Sequence, residues 1–370
     1  MLNKAVINLS AIRENALAVK RLLPEKTKFC AVVKADAYGH GAEKVSAALY
    51  NTVDSFAVAL PEEGVALRRS GIDKDVLVLT RAQYGDAETA ARFGLTLTAA
   101  EFDDIALFNA VGEKTGTAIK THIKFNTGMN RQGFSDLSEI SAALKFCAGK
   151  KGVKIEGLYS HYARPENDVA RKKATNLFLL AKRLVKGYNK NATCHISASG
   201  GTLKGEFFDM VRIGILLYGY KPYKTDDITV RPAMKIFAPV ICERTLAAGE
   251  AALYGDCRAK KKTRFSLVRY GYADGLPRKS ARGVFNNRCM DVTAYERGGV
   301  LAEETFGDGC CGLFCRGVSE PCKDNRGVEN GGIKLFNVLP DADVLAGRYG
   351  TISYEILTKA AVRAEKIYTD

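Results

Sequence analysis

From residue 11 to about residue 234, short apolar runs alternate with amphipathic stretches, and this alternation narrows the fold more than any other feature. Ile12, Ala16, Val19 and Leu23 stand at helical spacing, with Ser10 as the expected N-cap and Pro24 as a stop. The apolar run Phe29–Val33 follows, and a helical stretch starts near Ala42. SFAVAL (55–60) leads into a helix opening PEEGVALRR, and VLVLT (76–80) into another. The pattern continues through IKTHIKF (119–125), IEGLYS (155–160) and TCHIS (193–197). Strands alternating with helices in this way imply parallel βαβ units. Eight units fit into roughly 220 residues, the size of a (β/α)8 TIM-like barrel. An open doubly wound sheet would be expected to carry a Gly-rich fingerprint after its first strand, and none stands there.

The pattern changes near residue 235. Strand-like pieces such as FAPVIC and FSLVRYGYAD then alternate with glycine-rich turns, and convincing helices are scarce. The expected organisation is α/β: a barrel over 11–234, then a mostly β domain over 235–370 joined by an N-terminal strand, 1–10. The region 295–335 is rich in Gly and Cys and gives no clear element.

Charge raises one alternative. The net charge is +14, which can mark a nucleic-acid binder. The basic residues, however, are spread along the chain, and the one dense run, RAKKKTR (258–264), lies between strand-like segments. No stacking platform or groove-reading motif accompanies it, so no nucleic-acid partner is expected. No apolar run approaches the ~18 residues of a membrane span. The first 20 residues lack the pattern of a secretory signal, so a cytoplasmic location is expected. Cys310, Cys311, Cys315 and Cys322 lack the paired spacing of a structural zinc site; free thiols and no metal are expected.

Barrel enzymes place their chemistry at the C-terminal ends of the strands. Lys34 ends the first barrel strand. A desolvated lysine there has a lowered pKa and can form a Schiff base, although the segment alone reads equally as a snorkelling surface cation. KFNTGMNRQGF follows the fifth strand with Lys124 and Arg131, and a guanidinium there suits a carboxylate. SHYARPE follows the sixth with His161, and HISASGG the seventh with His195 and Ser199. MVRIGILLYGY is expected after the eighth, with Arg212 and Gly214. Small residues with free backbone N–H groups after strands seven and eight form the usual barrel phosphate site. One mouth would thus hold a lysine, a phosphate cradle and two arginines, a combination that suggests pyridoxal phosphate.

In these motifs the chain resembles the alanine racemases, fold-type III pyridoxal-phosphate enzymes. The matching stretches are AVVKADAYGHG (31–41), KFNTGMNRQGF (124–134), SHYA (160–163), RIGILLYG (212–219), GYADGLPR (271–278) and TISYEILT (351–358), in the family's order. The resemblance implies interconversion of L- and D-alanine, a role in D-alanine biosynthesis for the cell wall, and a homodimer with shared active sites. It implies that Lys34 holds pyridoxal 5'-phosphate and serves as base on one face. Tyr272 from the partner subunit would serve on the other, supported by His161. Tyr38, Ser199, Gly214, Ile215 and Tyr354 would hold the phosphate, Arg212 would face the pyridine nitrogen, and Arg131 would support the substrate carboxylate. Lys124 stands where the family often carries a carbamate.

The chain departs from the family's pattern at three places. Asn126 replaces an Asp, and Ala198 an Asn. The family's Cys-Met-Asp, whose Met backbone N–H binds the substrate carboxylate, is matched by type at Cys289-Met290-Asp291 and by spacing near Cys311. Met290 is the expected carboxylate donor. Because this region sets substrate size, a serine or broader-specificity racemase is the alternative, and a fold-type III decarboxylase a further one.

Overall fold

The computed structural model describes residues 3–252, 257–258, 262–275, 294–295, 299–300, 305–307, 312–316, 335–337, 339 and 341–370. The chain divides into two compact units: Ser10–Ala37 with Gly41–Arg231, and Met1–Leu9 with Tyr38–His40 and Pro232–Asp370.

The first unit is the barrel. Its strands are β2 (Lys28–Val32), β3 (Ser55–Val58), β4 (Val76–Arg81), β5 (Thr96–Ala99), β6 (Ile119–Lys124), β7 (Val153–Tyr159), β8 (Thr193–His195) and β9 (Met210–Ile213). They pair in parallel in the order β8-β7-β6-β5-β4-β3-β2-β9. The ends of that order meet: Asp209 N donates to Cys194 O at 3.0 Å and Arg212 N to Ser197 O at 3.0 Å. Helices cover the outer face, which is why Phe29, Cys30, Ala31 and Val32 of β2 are all buried. The most crowded helix contact is at Gly112, where a Cβ would lie 1.9 Å from the carbonyl oxygen of Gly152.

The predicted barrel is present, with local corrections. The first helix spans Leu9–Lys20, so Ser10 lies inside it instead of capping it, and its hydroxyl accepts from Arg13 Nη2 at 2.9 Å. Arg212 lies within the eighth barrel strand, not after it. Thr96–Ala99, a four-residue strand, is too short to show a period in the sequence.

The second unit is mostly β. β1 (Asn3–Asn8) pairs antiparallel with β10 (Met234–Leu246) and parallel with the terminal strand Ala364–Thr369. β10 also pairs with Thr263–Val268 and Leu335–Asn337. Helices are not scarce here: Ala342–Tyr349 and Ser353–Ala360 pack in this unit. Asp341 caps the first, accepting from Asp343 N at 2.8 Å, and Gly350 ends it in the left-handed conformation (φ 65°). Most of 295–335 falls outside the described residues, as does the centre of the basic run 258–264. Among the described residues, no helix is long and apolar enough to cross a membrane.

Gly112→Ala is expected to destabilise the protein by ~1–3 kcal/mol through overpacking against backbone. Gly85→Ala, where a Cβ meets nothing within 4 Å, should leave stability unchanged or raise it by up to ~1 kcal/mol. Urea denaturation midpoints measure both.

Candidate active site at the C-terminal mouth of the barrel

β2 delivers Lys34 to the mouth through a pairing that continues one residue past the strand, with Val33 N donating to Ala57 O at 2.9 Å. The chain then makes one turn of the wrong hand. Ala35, Asp36, Ala37 and Tyr38 all have φ between 52° and 54°. L-residues in this region cost roughly 1–2 kcal/mol each, so the surroundings must hold the turn in place. Ala37 N donates to Val33 O at 2.8 Å, and Gly41 N to Asp36 O at 2.9 Å. Asp36 Oδ1 accepts from Ala42 N at 2.7 Å. Glu63 supplies the outside strut. Its Oε1 accepts from Ala35 N at 2.6 Å, while Oε2 accepts from Ala59 N at 2.6 Å and Leu60 N at 3.1 Å. One carboxylate therefore caps the helix Pro61–Arg69 and fixes the residue next to Lys34. Burial and the Arg131 charge hold the Lys34 amine below its ordinary range, with Glu63 opposing them.

β6 ends in Lys124, which is only 4% exposed. Its ammonium nitrogen stands 4.1 Å from the Tyr159 ring centroid. Burial, then Arg212 and Arg131, press its pKa well below the ordinary lysine value. The loop after Lys124 folds back onto it: Phe134 N donates to Lys124 O at 2.9 Å, and a Cβ on Gly133 (φ 118°) would lie 2.8 Å from that oxygen. Asn126 builds the turn. Its Oδ1 accepts from Gly128 N at 3.1 Å and Asn130 N at 3.0 Å. The amide oxygen makes the backbone bonds a carboxylate could make, so what differs from an Asp here is the charge. Arg131 is exposed on this loop.

His161, just past β7, is pressed well below its ordinary pKa by burial, and then by Arg212, Lys124, Arg131 and Lys34. Arg212 on β9 is 3% exposed. Its Nη2 donates to Ser160 O at 2.7 Å and Ile196 O at 3.1 Å. Its Nη1 donates to His195 O at 3.3 Å and to His195 Nδ1. Its Nη2 lies 3.5 Å from His161 Nδ1, a marginal contact. Burial pushes the Arg212 pKa down to about 10, which leaves it charged at neutral pH. Four of its five N–H groups thus have acceptors, all of them neutral. Among the described residues the Nε–H has none.

Ser199 opens the short helix Ser199–Thr202, and its Oγ accepts from Gly214 N at 3.3 Å. Ile215 begins the turn Ile215–Tyr218, whose Tyr218 hydroxyl donates to Val32 O at 2.8 Å, two residues before Lys34. The barrel unit therefore brings together Lys34, Lys124, Arg131, His161 and Arg212, and separately joins Ser199 to Gly214. In the other unit, Tyr38 and Tyr354 have ring centroids 5.6 Å apart. Burial raises the pKa of both phenols, that of Tyr354 to about 12. The GYADG segment makes the tight turn Tyr272–Asp274, fixed by Asp274 Oδ2 accepting from Gly271 N at 2.9 Å. The Tyr272 side chain, Met290 and Cys311 lie outside the described residues. The sequence reading did not single out Glu63, Tyr159 or Tyr218. Only Glu63 left a signal, as the third residue of a Pro-initiated helix.

A barrel mouth with an amine held below its ordinary pKa, ringed by buried or strand-end cations, defines an enzyme that receives anionic molecules and can bond a carbonyl through lysine. Models of the alanine racemase N-terminal and C-terminal domains match residues 7–222 and 233–368. The chain is 33% identical over 281 residues to an alanine racemase of Streptococcus pyogenes, covering 74% of this chain and 76% of that one. It is also 33% identical over 312 residues to alanine racemase 2 of Caldanaerobacter subterraneus, covering 78% and 80%. The alanine racemase structure from Clostridium difficile superposes with TM-score 0.85 at 25% identity, covering 100% of this chain and 96% of that one. The Bacillus anthracis alanine racemase solved with bound L-Ala-P gives 0.84 at 26%, covering 100% and 95%. The chain belongs to the alanine racemase family, pyridoxal-phosphate-dependent isomerases.

Removing the neighbouring charges should move the Lys34 pKa in opposite directions. Arg131→Gln raises it, because a repelling cation is lost; Glu63→Gln lowers it further, because the favourable anion is lost. The pH dependence of pyridoxal-phosphate uptake by cofactor-stripped protein, read by absorbance, measures both shifts.

Proposed function

We propose that this chain interconverts L- and D-alanine as a homodimer, with pyridoxal 5'-phosphate held at Lys34 and with Lys34 and Tyr272 of the partner subunit as opposed bases. The observation that carries this reading is the donor set of Arg212. Four N–H groups are taken by neutral protein acceptors, and one donor remains on a charged, buried guanidinium. That remaining donor suits an aromatic ring nitrogen. The rest of the donor set also fits the cofactor: a lysine with lowered pKa for its carbonyl, and the Ser199–Gly214 junction with Ile215 for its phosphate. The family pattern adds Tyr38 and Tyr354 to the phosphate set. The L-Ala-P bound in the Bacillus anthracis relative supports an alanine-derived ligand.

When bound, pyridoxal phosphate would supply the carbonyl that condenses with an amine and the ring that takes up the electron pair left at Cα. Lys34 takes or returns the α-proton on one face, and its depressed pKa leaves a larger fraction of neutral amine for that work. Tyr272 does the same on the opposite face. Its phenol has a reference pKa near ~10, so nearby positive charge must favour the phenolate. Arg212 would supply that charge, with His161, held neutral, as a polar neighbour. Arg131 and the Met290 backbone N–H bind the substrate carboxylate. Arg212 would donate to the ring nitrogen and keep its own proton, since a guanidinium is not deprotonated under these conditions. By keeping its proton, Arg212 would leave a bound ring less electron-withdrawing, the property that would disfavour transamination. Lys124 is a buried amine pressed toward neutrality, the state that adds carbon dioxide with loss of one proton. The resulting carbamate would give Arg131 the anion that Asn126 does not provide.

Arg212→Glu should raise pyridoxamine phosphate formation per turnover; an unchanged ratio would contradict the role given to Arg212. Tyr272→Phe should cut racemisation by ~100-fold or more. In deuterium oxide this variant should still exchange the α-proton of one enantiomer without inversion, which proton NMR of the substrate reads.

A further inference from the structure

Behind Arg212 lies a file of two histidines for which the mechanism above has no use. His195, fully buried on β8, approaches Arg212 Nη1 through Nδ1 and His122 Nδ1 through Nε2, the latter at 2.9 Å. His122, on β6, lines a cavity of about 410 Å³. Lys28, Ser55, Thr96, Thr193 and Met210 also line that cavity, and each is the first residue of its strand. The cavity therefore opens at the N-terminal end of the barrel, away from the strand ends that carry the chemistry.

The hydrogen-bond directions in this file are forced. Arginine has only donors, so His195 Nδ1 must be a bare acceptor. The His195 proton then sits on Nε2 and is donated to His122 Nδ1, which must also be bare. The His122 proton is left on Nε2. Both rings are neutral: burial lowers His122 to about 4 against the opposing charge of Asp75, and burial, then Arg212, His122 and Lys124, hold His195 well below its ordinary value. The His195 ring also stacks on Tyr159, with an interplanar angle of 8° and centroids 5.2 Å apart.

The barrel makes specific room for His122. In the β6–β7 register His122 faces Gly157, and the register shifts between Thr121 and His122. A Cβ on Gly157 would lie 2.5 Å from His122 Nε2. Strand interiors disfavour glycine, and here its use admits the imidazole.

We propose that His122 is a positioning residue for Arg212: by accepting the Nε2–H of His195 it fixes the His195 tautomer, which presents the lone pair that holds Arg212. Without that acceptor, the needed tautomer buries an unpartnered N–H. The other tautomer sets a donor against the guanidinium. Either way Arg212 loses a fixed partner and its aim loosens. The functional consequence rests on the role given to Arg212 above; the tautomer assignment does not.

The chain has only four histidines, so holoenzyme labelled with 15N-histidine gives a readable spectrum. Histidine-to-phenylalanine variants of the individual sites assign it. The expected result is a neutral His195 and a neutral His122, each protonated at Nε2. A proton on His195 Nδ1, or a charged His195, overturns the proposal whatever Arg212 does in catalysis. His122→Leu removes the acceptor; His122→Asn keeps an acceptor near the Nδ1 position. His122→Leu should lower kcat about tenfold, the equivalent of one neutral hydrogen bond, with a smaller change in KM and more pyridoxamine phosphate per turnover. His122→Asn should restore both. Equal kcat losses in the two variants, or a loss in His122→Leu with no change in the transamination ratio, would reduce His122 to a packing residue and overturn the proposal. If Arg212→Glu leaves that ratio unchanged while the tautomers are as stated, the role of Arg212 at the ring fails and the histidine file stands.

Discussion

The barrel is built around a buried cation that no anion in its described residues neutralises. Removing a guanidinium from water costs several kcal/mol, and the usual remedy is a carboxylate partner. Arg212 has three backbone carbonyls and a histidine lone pair in its place. Those acceptors satisfy four of its five donors and fix its plane, but leave its charge in the site. Lys124, His161 and His195 each feel that charge, and each is pushed toward its neutral form. A site prepared in this way favours anions that enter it and holds its own amines ready as bases. A carboxylate paired with Arg212 would weaken both effects.

The second constraint is the left-handed turn after Lys34. Four consecutive non-glycine residues at positive φ are unfavourable by themselves, yet the turn carries the chain from the end of β2 through Asp36 to the helix that starts at Ala42. Glu63 bonds it from outside and Asp36 from within. The Tyr218 hydroxyl holds the strand just before it. The lysine is thus held at a strand end fixed by these bonds, as the base role proposed for it requires, since small shifts of a base slow proton transfer sharply. The cost in backbone strain sits next to the chemistry, where such strain is most often found.

The sequence showed the barrel because parallel strands under helices write a regular alternation of apolar runs. It also marked Lys34, Lys124, His161 and Ser199 as candidates, and all four stand at or just past strand ends. Arg212 was readable as a site residue but not as part of a strand, because β9 is four residues long and runs without pause into a glycine. The left-handed turn left no sign: KADAY has no glycine to mark positive φ, and its conformation is set by partners elsewhere in the chain. The pairing of His122 with His195 spans 73 positions and depends on Gly157 across the strand, a relation no local pattern records. The two C-terminal helices were hidden by the glycine-rich segments before them, although Asp341 and Gly350 mark the ends of the first.

We propose above all that Arg212 keeps its proton and faces the ring nitrogen of bound pyridoxal phosphate. The most direct test is the 15N NMR signal of the holoenzyme loaded with pyridoxal phosphate labelled at the ring nitrogen. The expected result is an unprotonated ring nitrogen that accepts a hydrogen bond, and a signal that moves when Arg212 is replaced by lysine. A protonated ring nitrogen in the wild-type enzyme would contradict it.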